Sequence, residues 1–196
     1  MQEFITKWFQ YNSVVILTYF FLCFIIMLLD RLFKGKVVEK FFSISKKDSW
    51  LNPITYFKLF SHSLGHADWN HFYNNFVKIL LIGPMIEEKY GSINLLIMML
   101  ITSLVIGLIY KIFDLGRVRG ASGVLYMLII LSSFVNIDGG KIPITLALII
   151  IFFVADDVIK FIKREDDNIS HLGHLIGAIC GVVFGILSIN GINFGI

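Results

Sequence analysis

Charge is scarce in this chain. Only 16% of its 196 residues are charged, 57% are hydrophobic, and mean hydropathy is +0.79. A water-soluble domain of this length cannot hide so much apolar side chain, so the surface is expected to face lipid. Cysteine is nearly missing: Cys23 and Cys180 both lie inside apolar runs, which argues against a disulfide framework and against a cysteine metal site. No small-residue cleavage site follows the first apolar run after MQEFITKWFQYN, so that run is expected to be a retained span rather than a signal peptide. Repeats, low-complexity stretches and a second domain are also lacking. The net charge of +3 suits a membrane surface and makes no case for nucleic acid.

What is present is a series of long apolar runs. A helix needs about 20 apolar residues to cross the hydrocarbon, and in lipid its backbone must hydrogen-bond to itself. Six runs qualify as helices, at roughly 12–30, 69–86, 92–113, 121–135, 142–160 and 170–189. The polar turn Glu87-Glu88-Lys89-Tyr90-Gly91 separates the second from the third. The fourth is short: some 15 residues at about 1.5 Å each reach only about 22 Å. Its start, Gly120-Ala121-Ser122-Gly123, is therefore expected below one membrane face, at the floor of a cavity. The connection 31–68 mixes lysines with Phe41, Phe42, Trp50 and Phe57, a blend that suits short helices lying in the interface. The fold class is all-α, a polytopic membrane bundle forming one domain over 1–196.

Polar groups inside apolar runs are costly in lipid and mark functional sites by default. Three sets stand out. Ser122 opens a helix, where an oxyanion would meet free backbone N–H groups and the positive end of the dipole. By itself this glycine-flanked quartet is more often a packing motif. His174 shares one narrow helix face with Gly177, Gly181 and Gly185, a smooth groove for a neighbouring helix. Close approach to the Ser122 helix would set imidazole against hydroxyl, the pairing that activates serine at neutral pH. A packing face with an interfacial histidine is the plainer explanation. His71 and Asn75 lie one turn apart on the second run and could donate to an oxyanion, or could simply bond helix to helix. Each set is weak alone. Together they supply a nucleophile, a base and anion donors at membrane depth.

In this order the residues resemble the rhomboid family of intramembrane serine proteases. His62-x3-His66-x4-His71-x3-Asn75 is similar to that family's second-helix pattern, and Glu87 to Gly91 to the turn after it. Gly120-x-Ser122-Gly123 matches its GxSG, Tyr126 its aromatic beside the catalytic histidine, and His174-x2-Gly177-x3-Gly181 its sixth-helix signature. The resemblance runs from about residue 50 to 188. It implies a six-helix bundle with a central fourth helix and a Ser122–His174 dyad with no third acid. His71 and Asn75 would assist the oxyanion, and His66 would support the cavity. No cofactor or metal is implied. The substrates would be transmembrane proteins, and the location a bacterial cell membrane.

The chain also departs from the pattern. Phe57-Lys58 stands where the family has Trp-Arg. His171, one turn before His174, is a second candidate base. Only His174 has glycine at +3 and +7, so His171 is expected to be structural or to line the cavity. Asp156 and Asp157 break the fifth run, flanked by Phe152, Phe153 and Phe161; that helix is the candidate lateral gate. The two acids are expected at the interface, with a triad acid as the alternative. The family's common bacterial topology puts the N-terminus in the cytoplasm. It would then leave Lys34, Lys46, Lys58, Arg117 and Arg119 outside and only Lys7, Lys89 and Lys141 inside, against the positive-inside rule.

Two rivals remain. One is a membrane metalloprotein using the pairs His62/His66 and His171/His174, although no His-Glu-x-x-His occurs and the acids are expected to lie away from both pairs. The other is an inactive rhomboid-like protein that binds transmembrane helices.

Overall fold

The structure is a computed structural model that describes residues 11–135, 137, 143–163 and 170–191. Lys7 and Lys141, which bear on orientation, lie outside the described residues. Among the described residues the fold is all-α apart from one short strand pair. In chain order the elements are α1 (Val14–Leu32), α2 (Lys36–Phe41), β1 (Ile44–Ser45), α3 (Pro53–Ser61) and a 3-10 turn (His62–Leu64). Then come α4 (Trp69–Tyr90), α5 (Ser92–Ile112), β2 (Arg117–Val118), α6 (Ser122–Ser132), α7 (Ile144–Ile149), a π turn (Ile150–Val154), α8 (Ala155–Lys163) and α9 (His171–Ile189).

Among the described residues, helix falls within each apolar run read from the sequence. Three helices among the described residues are long and apolar enough to cross a membrane by length and composition: α1, α5 and α9. Large side chains such as Leu32, Leu81, Ile144 and Phe152 point outward at 71–80% exposure, as a lipid-facing surface requires. The helix α6 is different. Val124, Leu125, Met127, Leu128, Ile130 and Leu131 are all buried, so it is surrounded on all sides. It runs from 122 to 132, shorter than the expected 121–135, because Ser133 to Val135 close in turn conformation.

Two expectations need correction. Glu87 to Tyr90 are not a turn but the last turn of α4, and Gly91 alone connects to α5. The reason is local: Glu87 is buried and accepts from Ser13 Oγ at 2.5 Å, Ser92 Oγ at 2.6 Å and the backbone N–H groups of Val15 and Ile16. Its carboxylate thereby caps the N-terminus of α1, where free N–H groups favour negative charge. The fifth run is not one regular helix either. A π turn splits it into α7 and α8, so one residue too many for α-geometry is taken up just before Asp156 and Asp157.

The connection 31–68, where short interfacial helices were expected, holds α2 and α3, and it also does something the sequence did not suggest. Its strand β1 pairs antiparallel with β2, Ile44 opposite Val118 and Ser45 opposite Arg117. Lys58 is buried and its Nζ sits 2.5 Å from Asp48 Oδ1. Burial would raise the Asp48 carboxyl, but bonds from Lys58 and Ser45 outweigh it and hold the carboxyl below its ordinary value.

Candidate active site

Ser122 is the first residue of α6 and is 9% exposed. The turn before it is held from two sides. Gly120 adopts φ +122°, a conformation that L side chains rarely adopt, and a Cβ there would also lie 2.8 Å from the His71 ring. The Gly120 N–H donates to the His62 carbonyl at 2.9 Å, and the Ala121 N–H reaches His66 Nε2 at 3.4 Å. His62 in turn donates from Nε2 to the Ser103 carbonyl at 2.9 Å. Burial pushes His62 down to about 4 and His66 to about 3, so both rings stay neutral at physiological pH. The 3-10 turn and His66 therefore act as a buried brace under the Gly-x-Ser-Gly turn. A cavity of about 10 Å³, room for about one water, opens beside Ser122 and is lined by His62, Gly120, Gly123, Ser170 and Gly173.

His174 comes from α9, which packs directly on α6 through glycines. A Cβ at Gly177 would collide with the Gly123 carbonyl oxygen, and one at Gly181 would lie 2.7 Å from the Met127 carbonyl oxygen. Backbone thus touches backbone, as small residues permit in membrane helices. The result is that the His174 ring stacks on Tyr126, centroids 4.2 Å apart and planes within 9°. Tyr126 is one turn beyond Ser122 on the same helix. No hydrogen bond joins Ser122 to His174 among the described residues. The nitrogen that is engaged is His174 Nδ1, 2.8 Å from Asp157 Oδ1.

Asp157 was expected at the interface, with a triad acid as the alternative, and it is 4% exposed. Its Oδ1 receives both His174 Nδ1 and His171 Nδ1, the latter at 2.6 Å, and its Oδ2 accepts the Tyr126 hydroxyl. The neighbouring Asp156 is largely exposed and pairs with Lys160 at 2.8 Å. An acid within an apolar run was the available signal for Asp157, and the Asp156–Lys160 pair one residue away masked it. His171 is buried on the same carboxylate, so it belongs to this cluster rather than to a separate cavity wall.

The expectation that acids lie away from the histidine pairs is also wrong. Asp157, His171 and His174 form the one set of three or more potential metal-ligand side chains found among the described residues, with donor atoms within 4.8 Å. Their geometry is that of hydrogen bonds. Both imidazole nitrogens aim at a single carboxylate oxygen, whereas a metal site needs all three donors to aim at a point about 2 Å from each.

The remaining expected residues are accounted for. His71 lies against the Gly120 backbone and packs edge-on to His66 at 5.4 Å. Asn75 is 5% exposed, and its Nδ2 is buried without a hydrogen-bond partner. Ser170 caps α9 by accepting from the Gly173 N–H at 3.2 Å and shares a 2.6 Å hydrogen bond with Tyr110.

The family model described as Rhomboid domain matches residues 53–191, most of the chain. The protein belongs to the rhomboid family. This rhomboid chain is an integral membrane protein by family and by its apolar helices. It is similar to Rhomboid-like protein 11, chloroplastic, of Arabidopsis thaliana, with 24% identity over 172 residues. That match covers 81% of this chain and 59% of the plant protein, so the chain spans about three-fifths of its relative's length.

Proposed function

We propose that this rhomboid is an intramembrane serine endopeptidase that cuts transmembrane proteins in or near their membrane segments, built as a six-span bundle in one domain. The observation that supports this best is the glycine-to-glycine contact of α9 on α6, which brings His174 onto Tyr126 one turn from Ser122. A substrate helix entering from lipid must unwind near the cut, because a helical peptide bond is shielded; small or helix-breaking residues lower that cost. Ser122 Oγ then attacks the carbonyl and His174 takes the proton. The anion is met by N–H groups of the first turn of α6, with His71 and Asn75 beside it. The unpaired buried Nδ2 of Asn75 suits that role, since a buried donor without a partner is costly unless something uses it. His174 returns the proton to the leaving amine, and water hydrolyses the acyl-enzyme.

The test is cleavage of a fluorescent transmembrane substrate by the protein in proteoliposomes. Ser122→Ala and His174→Ala are each expected to lower kcat by on the order of 10⁴-fold, with melting temperatures close to wild type. A fluorophosphonate is expected to label the wild type and not Ser122→Ala. Cleavage that survives either substitution refutes the dyad. The cluster at Asp157 keeps a metal-dependent reading specific enough to test in the same assay: it requires loss of activity with a chelator and full activity in Ser122→Ala.

A further inference from the structure

We propose that Asp157 is a positioning residue that turns the Ser122–His174 pair into a three-membered relay, with the acid carried on a third helix. The inference rests on the serine-protease reading above. Asp157 can only accept from the imidazoles, so His174 must carry its proton on Nδ1, 2.8 Å from Oδ1. That leaves Nε2 as the ring nitrogen with a free lone pair, the one that can receive the Ser122 proton. The ring is fixed in two directions at once: its plane by the stack on Tyr126 and its rotation by the bond to Asp157. The carboxylate is itself fixed by two further donors, His171 Nδ1 on Oδ1 and the Tyr126 hydroxyl on Oδ2. Tyr126 thus touches both the base and the group that orients it.

In the reaction the Nδ1 proton stays on His174. The O–H bond of Ser122 breaks and its proton goes to Nε2, while the serine oxygen bonds to the substrate carbonyl carbon. The imidazolium so formed faces the Asp157 carboxylate until Nε2 gives its proton to the leaving nitrogen. Among the described residues, the titratable groups around Asp157 are His171 and His174 on α9, Tyr126 on α6, and Asp156 with Lys160 on its own helix.

The same proteoliposome assay tests this. Asp157→Asn presents a carboxamide that can donate, which favours the wrong tautomer. It is expected to lower kcat at least about 100-fold with KM within about threefold of wild type. Asp157→Glu should recover part of that loss. Asp156→Asn, which alters an exposed pair, should stay within about twofold. Full activity in Asp157→Asn, or a loss equal in Asp157→Glu and Asp157→Asn with melting temperatures unchanged, overturns the proposal. Should Asp157→Asn fail to fold, histidine ¹⁵N spectra of the wild type decide. The His174 resonance, assigned by its loss in His174→Gln, must show the proton on Nδ1; a proton on Nε2 overturns the proposal. Cleavage surviving in Ser122→Ala would instead refute the underlying serine mechanism, whatever Asp157 does.

Discussion

Glycine does at single positions what no other residue can. At Gly177 the obstacle to a Cβ is a backbone carbonyl, which cannot swing away. Gly177→Ala is therefore expected to push α9 off α6, cost about 1–3 kcal/mol of stability and weaken fluorophosphonate labelling of Ser122. At Gly185 the obstacle is the Phe134 ring at 2.5–2.7 Å, a side chain that can rotate. Gly185→Ala should be the milder change in the same melting and labelling measurements. His62 yields a prediction of another kind. Burial lowers it from 6.5 to about 4, so between those values the unfolded chain binds a proton that the folded chain does not. Its contribution is full above about pH 6.5 and is lost as the pH falls toward 4. Melting temperature in detergent should fall across that window, and less so in His62→Gln. Ser122, His174 and the glycines stood out in the sequence as candidates, because each is a polar or small residue in an apolar run. Asp157 was legible only as an acid in an apolar run, with a triad acid as the alternative; its meeting with His174 and Tyr126 was not, since they are 17 and 31 residues away and on other helices.

At the scale of elements, helix boundaries followed hydropathy wherever the neighbouring chain was apolar and failed where a buried acid intervened. Glu87 extended α4 by a turn because its carboxylate was needed at the start of α1, 71 or more residues earlier. Glu87→Ala leaves Ser13 and the Val15 and Ile16 N–H groups without their acceptor, and should destabilise the chain by about 1–3 kcal/mol in thermal melts. The π turn of Ile150–Val154 belongs to the same class. It shifts the register of α8, the helix that carries Asp157, and helical periodicity counted along the sequence cannot foresee an extra residue in one turn. The short helices of 31–68 were legible as amphipathic pieces, but strand β1 and its pairing with the strand leading to Gly120 were not.

For the whole molecule, the dominant fact is a surface too apolar for water around a centre that is apolar in another sense. Leu32, Leu81 and Phe152 are exposed, whereas nearly every residue of α6 is covered by protein. The protein should accordingly pellet with membranes and resist extraction by alkaline carbonate, and Cys23 and Cys180, both buried, should react with a thiol reagent only after denaturation. Sequence alone carried the membrane class, the order of the helices and the serine, histidine and glycines, because lipid as a solvent imposes long apolar runs and makes every polar exception visible. Tertiary structure alone decided that Asp157 and His171 join His174 and Tyr126, and that a loop brace of His62 and His66 holds the serine turn. Such contacts join residues distant along the chain, and they depend on how helices cross and rotate against one another, which local periodicity does not encode.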